Sequence, residues 1–262
     1  MNQDIINEIK DQDYVSITNT MEEFLIEQIE ENQAKGVILG LSGGIDSAVL
    51  AYLCKRKLKE KTLAILMPDT SITPTETEDA LKMISLTGIE HKLIDINPIV
   101  KEYSMYLEPN DFARGNLRAR VRTNILYYYA NIKNYLVLGS SDKSEYLIGY
   151  FTKFGDGAAD LTPIISLYKL QVREIAKYLG VPEYIISKKS SPHLWEEHEA
   201  EKELGVSYEE IDSILYCLFE KKLSVEKTSE ITQIEKAVVE KIQQLNINSE
   251  HKRLPAQKPN IE

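Results

Sequence analysis

Leu39-Gly40-Leu41-Ser42-Gly43-Gly44-Ile45-Asp46-Ser47 is the stretch whose reading decides the fold. Val37-Ile38-Leu39 reads as a buried strand, and Ala48 to Cys54, just after the stretch, reads as a helix. Small residues between strand and helix leave backbone N–H groups free at the positive end of the helix dipole, which suits phosphate oxygens. Gly43 and Gly44 let the main chain approach an anion closely, and Ser42 and Ser47 add hydroxyl donors. The lysine of a Walker loop is missing, and the spacing is not that of a dinucleotide fingerprint. Asp46 is a poor phosphate ligand alone but a good ligand for Mg²⁺ held against phosphate. A capped glycine turn is the plain alternative, but it needs one glycine rather than this whole set.

Outward from the loop, helical and strand patterns alternate. Tyr14 to Lys35 has Met21, Phe24, Leu25 and Ile29 on one helical face, and Gly36 ends it. Thr62 to Met67 reads as a second strand, closed by Pro68. Thr75-Glu76-Thr77-Glu78 has capping-box spacing ahead of Ala80, Leu81 and Ile84, with Gly88 as the stop. Lys92 to Ile96 reads as a third strand, and Asn97-Pro98 as a cap residue and first-position proline opening a helix. A long helix is expected from Asn116 to about Asn131, then a fourth strand over Tyr135–Leu138. This alternation implies a doubly wound parallel sheet flanked by helices, with ligands bound beyond the carboxyl ends of the strands. Leu167 to Leu179, stopped by Gly180, Tyr208 to Phe219 and Ile234 to Leu245 read as further helices, and Leu254 to Pro259 as an extended tail. One domain follows: an α/β nucleotide-binding core over about 14–180 and a mostly helical extension over 181–262.

The 262 residues carry 31 basic and 41 acidic side chains, a net charge of −10, which argues against nucleic-acid binding by the whole surface. No apolar run reaches membrane-spanning length, and Met1-Asn2-Gln3-Asp4 has no signal-peptide character. Cys54 and Cys217 sit in apolar helical surroundings and read as buried thiols of a cytoplasmic protein.

Beyond the fourth strand, Gly139-Ser140-Ser141-Asp142-Lys143-Ser144-Glu145 should reach the same sheet edge as the glycine loop. Glu145 could meet Asp46 there across a shared metal, although alone it reads as a carboxylate complementing a helix start. Ser42 to Ser47 resembles the pyrophosphate loop of the N-type ATP pyrophosphatases. With Gly115 to Arg122, the run from Glu145 through Lys153, Asp156 and Asp160 to Pro163, Tyr168-Lys169, and His251-Lys252-Arg253 before Pro255, the chain resembles the synthetase domain of NAD synthetase over nearly its whole length.

The resemblance implies an adenine nucleotide alpha hydrolase-like fold. It also implies ATP-dependent amidation of deamido-NAD by ammonia, through an adenylated intermediate, with release of AMP and pyrophosphate. It places Gly40, Leu41, Ser42, Gly43, Gly44, Ile45, Asp46 and Ser47 around the ATP phosphates, with Ser140, Lys169 and Ser191 also at ATP. Asp46 and Glu145 would hold Mg²⁺. Arg120, Lys153, Asp160, His251 and Lys252 would contact deamido-NAD, and Asp156 would lie on a loop ordering around the reacting groups. A homodimer is implied through the helix carrying Tyr127, Tyr128 and Tyr129, since three consecutive aromatics cannot all face one core. The basic tail would then reach the neighbouring subunit's site.

Arg114, Arg118, Arg120 and Arg122 form a local basic patch fit for a diphosphate and a carboxylate. Arg118 is left to the solvated helix face. Ser190 to Glu201, including His193 and His198, departs from the family pattern and reads as a polar loop rather than a metal site. No glutaminase domain precedes residue 36, so free ammonia is the expected donor, with a separate glutaminase subunit as the alternative. Two other readings remain: a GMP-synthetase-like or tRNA-modifying pyrophosphatase, which has no reason to keep Lys153 to Asp160, and a non-enzymatic nucleotide sensor, which would not require both Asp46 and Glu145.

Overall fold

The computed structural model describes residues 2–71, 76–189 and 200–261. Helices α1 (Gln3–Lys10) and α2 (Tyr14–Glu31) precede the sheet, whose first strand is β1 (Gly36–Gly40). There follow α3 (Ile45–Lys57), β2 (Thr62–Leu66), α4 (Glu76–Thr87), β3 (Glu90–Leu93), α5 (Asn97–Ser104), α6 (Asp111–Lys133) and β4 (Tyr135–Leu138). Among the described residues the strands pair in parallel in the order β3-β2-β1-β4. Strand side chains alternate between two apolar layers, as a sheet covered on both faces requires. Val37, Leu39, Ala64 and Leu66 join the layer with α2, α3 and α4, while Ile38, Leu63, Ile65 and Val137 join the layer with α5 and α6. The chain moves outward from β1 to β3 and then returns to the other side of β1 for β4. That reversal opens a crevice between the carboxyl ends of β1 and β4, where open α/β sheets bind ligands.

The remaining helices are α7 (Lys143–Ile148), α8 (Lys169–Leu179), α9 (Glu183–Ile186), α10 (Ala200–Leu204), α11 (Tyr208–Leu215), α12 (Val225–Thr232), α13 (Lys236–Asn248) and α14 (Glu250–Arg253). α9 and most of α8 pack in the layer with α2 and α3, while a third apolar layer built on α10 to α13 also takes in α1 through Ile5, Ile6 and Ile9, so it draws on both ends of the chain. The backbone N–H of Asn2 ties the two ends together by donating to the Thr232 carbonyl at 3.0 Å. No helix among the described residues is long and apolar enough to cross a membrane.

Several element boundaries depart from the sequence expectation. α1 was not anticipated, although Ile5, Ile6 and Ile9 carry a helical apolar spacing. The third strand covers Glu90–Leu93 rather than Lys92–Ile96, and all four of its residues are exposed. It is an edge strand whose position comes from its register with β2, not from an apolar pattern. Asn97 does not cap α5: it is the first helical residue, and its N–H donates to Asp95 Oδ1 at 3.0 Å. α6 begins at Asp111, where the Asn110 side chain caps it by accepting from the Ala113 N–H at 2.9 Å. The helix expected over Tyr208 to Phe219 divides into α11 and a π-helical turn at Tyr216–Glu220. Thr75, expected as a cap for α4, lies outside the described residues.

Gly36 shows how closely the strands are joined. A Cβ at this position would lie 2.1 Å from the Lys61 carbonyl oxygen, a backbone atom at the start of β2 that cannot swing aside. Gly36→Ala is therefore expected to lower stability by about 1–3 kcal/mol in urea unfolding, with the slope of the transition unchanged.

Candidate functional site

The glycine loop leaves β1 at Gly40 and enters α3 at Ile45, with Gly43 at φ 89°, a conformation open to glycine. Two serines close the loop on itself. Ser47 Oγ donates to the Gly44 carbonyl at 3.1 Å, and Ser42 Oγ accepts from the Gly44 N–H at 3.3 Å. Ser47 is buried and spends its hydroxyl on this turn, whereas Ser42 is exposed to the cleft. Asp46 stands in the first turn of α3, at the positive end of a 13-residue helix.

Across the crevice, β4 leads through Gly139, Ser140 and Ser141 to α7, capped by Asp142, whose carboxylate accepts from the Glu145 N–H at 2.8 Å. Lys169, the first residue of α8, extends between the two segments and is wholly buried. Its ammonium lies 2.7 Å from Asp142 Oδ2, 2.8 Å from Asp46 Oδ1 and 3.0 Å from Glu145 Oε1. Burial alone would lower the lysine pKa, but the charges of Asp142, Asp46 and Glu145 hold it well above the ordinary value. Burial pushes the Glu145 carboxyl well up against the pull of Lys169, and the charges of Asp142 and Asp46 add to the rise. Asp142 is fully buried, while the side chains of Asp46 and Glu145 are 20% and 19% exposed. Two carboxylates therefore open onto the cleft, while the third is buried between the lysine and the start of α7.

The cleft has a volume of about 240 Å³ and is lined by Gly40 to Ser42, Gly44 to Ser47, Ser140, Glu145 and Asp156. Sequence reasoning gave no place in this cleft to several other lining residues. Arg122 reaches it from α6, its Nε donating to the Met67 carbonyl at 3.1 Å, and Tyr208 reaches it from α11. Lys188 stands at the mouth, 3.1 Å from Asp79. Arg122 belonged to the basic patch read from sequence, whereas no sequence signal marks Tyr208.

Arg118 corrects an expectation. It is not a solvated residue but a buried one, its Nε 2.6 Å from the buried Asp69 carboxylate beyond β2. Burying Asp69 in the loop after Pro68 demands a partner, and the helix of the second layer supplies it.

None of Arg120, Lys153, Asp160, His251 and Lys252, the residues expected at the dinucleotide, lines the cleft. Arg120 Nη2 donates to the Lys153 carbonyl at 3.3 Å, and Lys153 Nζ donates to the carbonyls of His251 and Leu254. Lys252 Nζ donates to the carbonyls of Gly149 and Phe151 at 2.8 and 2.9 Å. Asp160 is tied to the scaffold: Oδ2 accepts from the Val137 N–H at 2.8 Å and Oδ1 from the Tyr127 hydroxyl at 3.2 Å. Asp156 accepts from the Thr152 N–H at 2.9 Å and faces the cleft. The basic tail is thus no solvated appendage but docks on its own chain's 146–153 segment. Ser191, His193 and His198 lie outside the described residues.

The family model described as NAD synthase matches residues 17–256. An NH(3)-dependent NAD(+) synthetase from Hyperthermus butylicus is 50% identical over 252 residues, covering 95% of this chain and 91% of the relative. One from Staphylothermus marinus is 47% identical, covering 95% and 92%. Among solved structures, an NMN synthetase from Francisella tularensis superposes with a TM-score of 0.84 at 35% identity, over 96% of this chain and all of the other. The NH3-dependent NAD synthetase from Campylobacter jejuni does so at 0.81 and 33%, over 95% of this chain and all of the other.

Proposed function

The chain belongs to the NAD synthase family and forms NAD in an ammonia-dependent reaction, and from that premise we propose how its cleft carries the reaction out. The carboxylate of deamido-NAD attacks the α-phosphorus of ATP, pyrophosphate leaves, and ammonia displaces AMP to form the amide. A carboxylate oxygen is a poor leaving group until it is part of such a mixed anhydride. Charge developing on pyrophosphate is met by the N–H groups in the first turn of α3, those of Leu41, Ser42 and Gly44 being spent within the protein. Lys169 adds a fixed positive charge at the crossing of the two segments. The observation that carries this reading is that ammonium, wholly buried between Asp46 after β1 and Glu145 after β4.

Asp46, Asp142 and Glu145, if all ionised, outnumber the Lys169 charge by two. That excess suits a divalent cation, and the cleft-facing oxygens of Asp46 and Glu145 are the hard donors Mg²⁺ prefers. Among the described residues no three His, Cys, Asp or Glu side chains form a complete cage. Mg²⁺ held there would bind through these two carboxylates and share its remaining positions with phosphate and water. Bound there, Mg²⁺ would neutralise phosphate charge and orient the leaving group.

Arg120, Lys153, Asp160, His251 and Lys252 stand as the deamido-NAD group, and their place outside the cleft supports a homodimer in which they serve the partner's cleft. Tyr106, Phe112, Tyr128 and Ile132, 78%, 70%, 64% and 63% exposed, offer apolar surface on α6 and the loop ahead of it for that contact. The two free, buried cysteines support a cytoplasmic location.

Incubation with deamido-NAD, ATP, Mg²⁺ and ammonium is expected to yield equal amounts of NAD, AMP and pyrophosphate. Labelled pyrophosphate should exchange into ATP when deamido-NAD is present and ammonia absent. ADP and phosphate as products would overturn the mechanism. A parallel incubation with nicotinic acid mononucleotide, prompted by the NMN synthetase likeness, is expected to turn over more slowly.

A further inference from the structure

Lys169 and Glu145 are held from outside the α/β core by one face of α11. Tyr208 and Asp212, both fully buried, stand four residues apart on that helix and so point the same way. The Tyr208 hydroxyl donates to Glu145 Oε1 at 3.2 Å, and the Lys169 ammonium lies 5.0 Å from the centre of the Tyr208 ring. Asp212 holds the other end of the lysine. Its Oδ2 accepts from the Leu170 N–H at 2.8 Å, and its Oδ1 accepts from the Ser144 hydroxyl. The Ser144 oxygen in turn accepts from the Lys169 N–H at 2.9 Å. The first two N–H groups of α8 therefore end on side chains of α7 and α11, which fixes where the lysine departs from its helix. A capping box between Ser207 and Glu210 sets the start of α11, and Ile211, Ile214 and Leu215 pin it in the helical layer.

We propose that Tyr208 and Asp212 are positioning residues, through which the C-terminal helices set the geometry of Lys169 and Glu145 for pyrophosphate departure. This rests on the assignment of Lys169 and Glu145 to the reacting end of the cleft. Tyr208→Phe keeps the ring beneath the ammonium and removes only the bond to Glu145. Asp212→Asn keeps side-chain size but only one acceptor oxygen, so either the Ser144 hydroxyl or the Leu170 N–H loses its acceptor. Neither group touches the dinucleotide residues, so turnover and binding should separate.

Each substitution is expected to lower kcat and pyrophosphate–ATP exchange about tenfold, the worth of one hydrogen bond to a charged group, while KM for deamido-NAD stays within about twofold. For Tyr208→Phe, the Mg²⁺ concentration that half-saturates calorimetric ATP binding should also rise about tenfold, because the bond holding a metal-binding carboxylate is gone. Ser213→Ala is the control: Ser213 is buried on the same helix, but its hydroxyl bonds only to the Glu209 carbonyl of that helix. It should leave kcat within about twofold, because it removes no bond to Lys169, Glu145 or the groups that hold them. Wild-type exchange in both Tyr208→Phe and Asp212→Asn overturns the proposal. So does an equal loss in Ser213→Ala at a matched thermal midpoint. Lys169→Met separates the two levels of argument. If it stays active, the reading of the cleft is wrong, whereas an inert Lys169→Met beside a normal Tyr208→Phe overturns the positioning role alone.

Discussion

Asp46→Asn and Glu145→Gln are each expected to cut NAD formation by more than about a hundredfold while leaving the chain folded. The size follows from losing an anionic oxygen ligand for the Mg²⁺ that meets charge on the phosphates, worth several kcal/mol in the transition state, with each 1.4 kcal/mol a factor of ten. The fold is spared because the cluster begins with an excess of negative charge. Three carboxylates surround one ammonium, so neutralising one of them relieves repulsion rather than stranding a charge. Asp46→Asn should accordingly unfold at an equal or higher temperature than the parent when divalent cations are chelated, and lose the rise that Mg²⁺ and ATP give the parent. Lys169→Met should do the opposite and lower the thermal midpoint, since it leaves buried carboxylates unbalanced. Turnover at saturating substrates and thermal melts with and without Mg²⁺ read both. Near-normal turnover of either carboxylate variant at limiting Mg²⁺ would remove that residue from the metal site.

Truncation after Ser249 is expected to raise KM for deamido-NAD about tenfold or more, with KM for ATP little altered, because charge-assisted contacts to phosphate or carboxylate are lost. The structure adds a second consequence that a solvated tail would not have. Arg253 donates to the carbonyls of Leu147 and Asn246 at 2.8 and 2.6 Å, and Lys252 caps those of Gly149 and Phe151. Removing the tail therefore unties the 146–153 segment and should lower the thermal midpoint by roughly 10 °C, from several hydrogen bonds of about 1 kcal/mol each. Lys252→Met separates the effects: a single lost cation should raise KM for deamido-NAD with a smaller thermal shift. Mixing truncated subunits with Asp46→Asn subunits tests which cleft the tail serves. Recovered activity means that it completes the partner's, because one site of the mixed dimer then keeps both features. No recovery despite subunit exchange assigns the tail to its own chain.

The sheet, the glycine loop and the strand after α6 were legible because their signals are local. A strand buried on both faces is continuously apolar, a loop that approaches phosphate must be small, and Gly180 ends its helix in the left-handed conformation at φ 76°. The positions of Asp46 and Glu145 beyond the carboxyl ends of two parallel strands follow from the same pattern. β3 was not, because an edge strand needs no apolar face and its Glu-His-Lys run carries no period.

What only the tertiary structure decided is which charges meet. In sequence Asp142 is a helix cap, Lys169 a lysine at a helix start, and Tyr208 and Asp212 two residues of an amphipathic helix. Each of those local descriptions is correct and none reveals the others. Arg118 shows the same limit, since one arginine in a run of four cannot be told apart until Asp69, 49 residues away in the chain, is found buried beside it. Secondary structure is set by neighbours three or four residues away, so composition and period disclose it. The energy of a buried charge depends on partners brought together from separate elements, here β1–α3, β4–α7, α8 and α11, and the packing of those elements alone determines it.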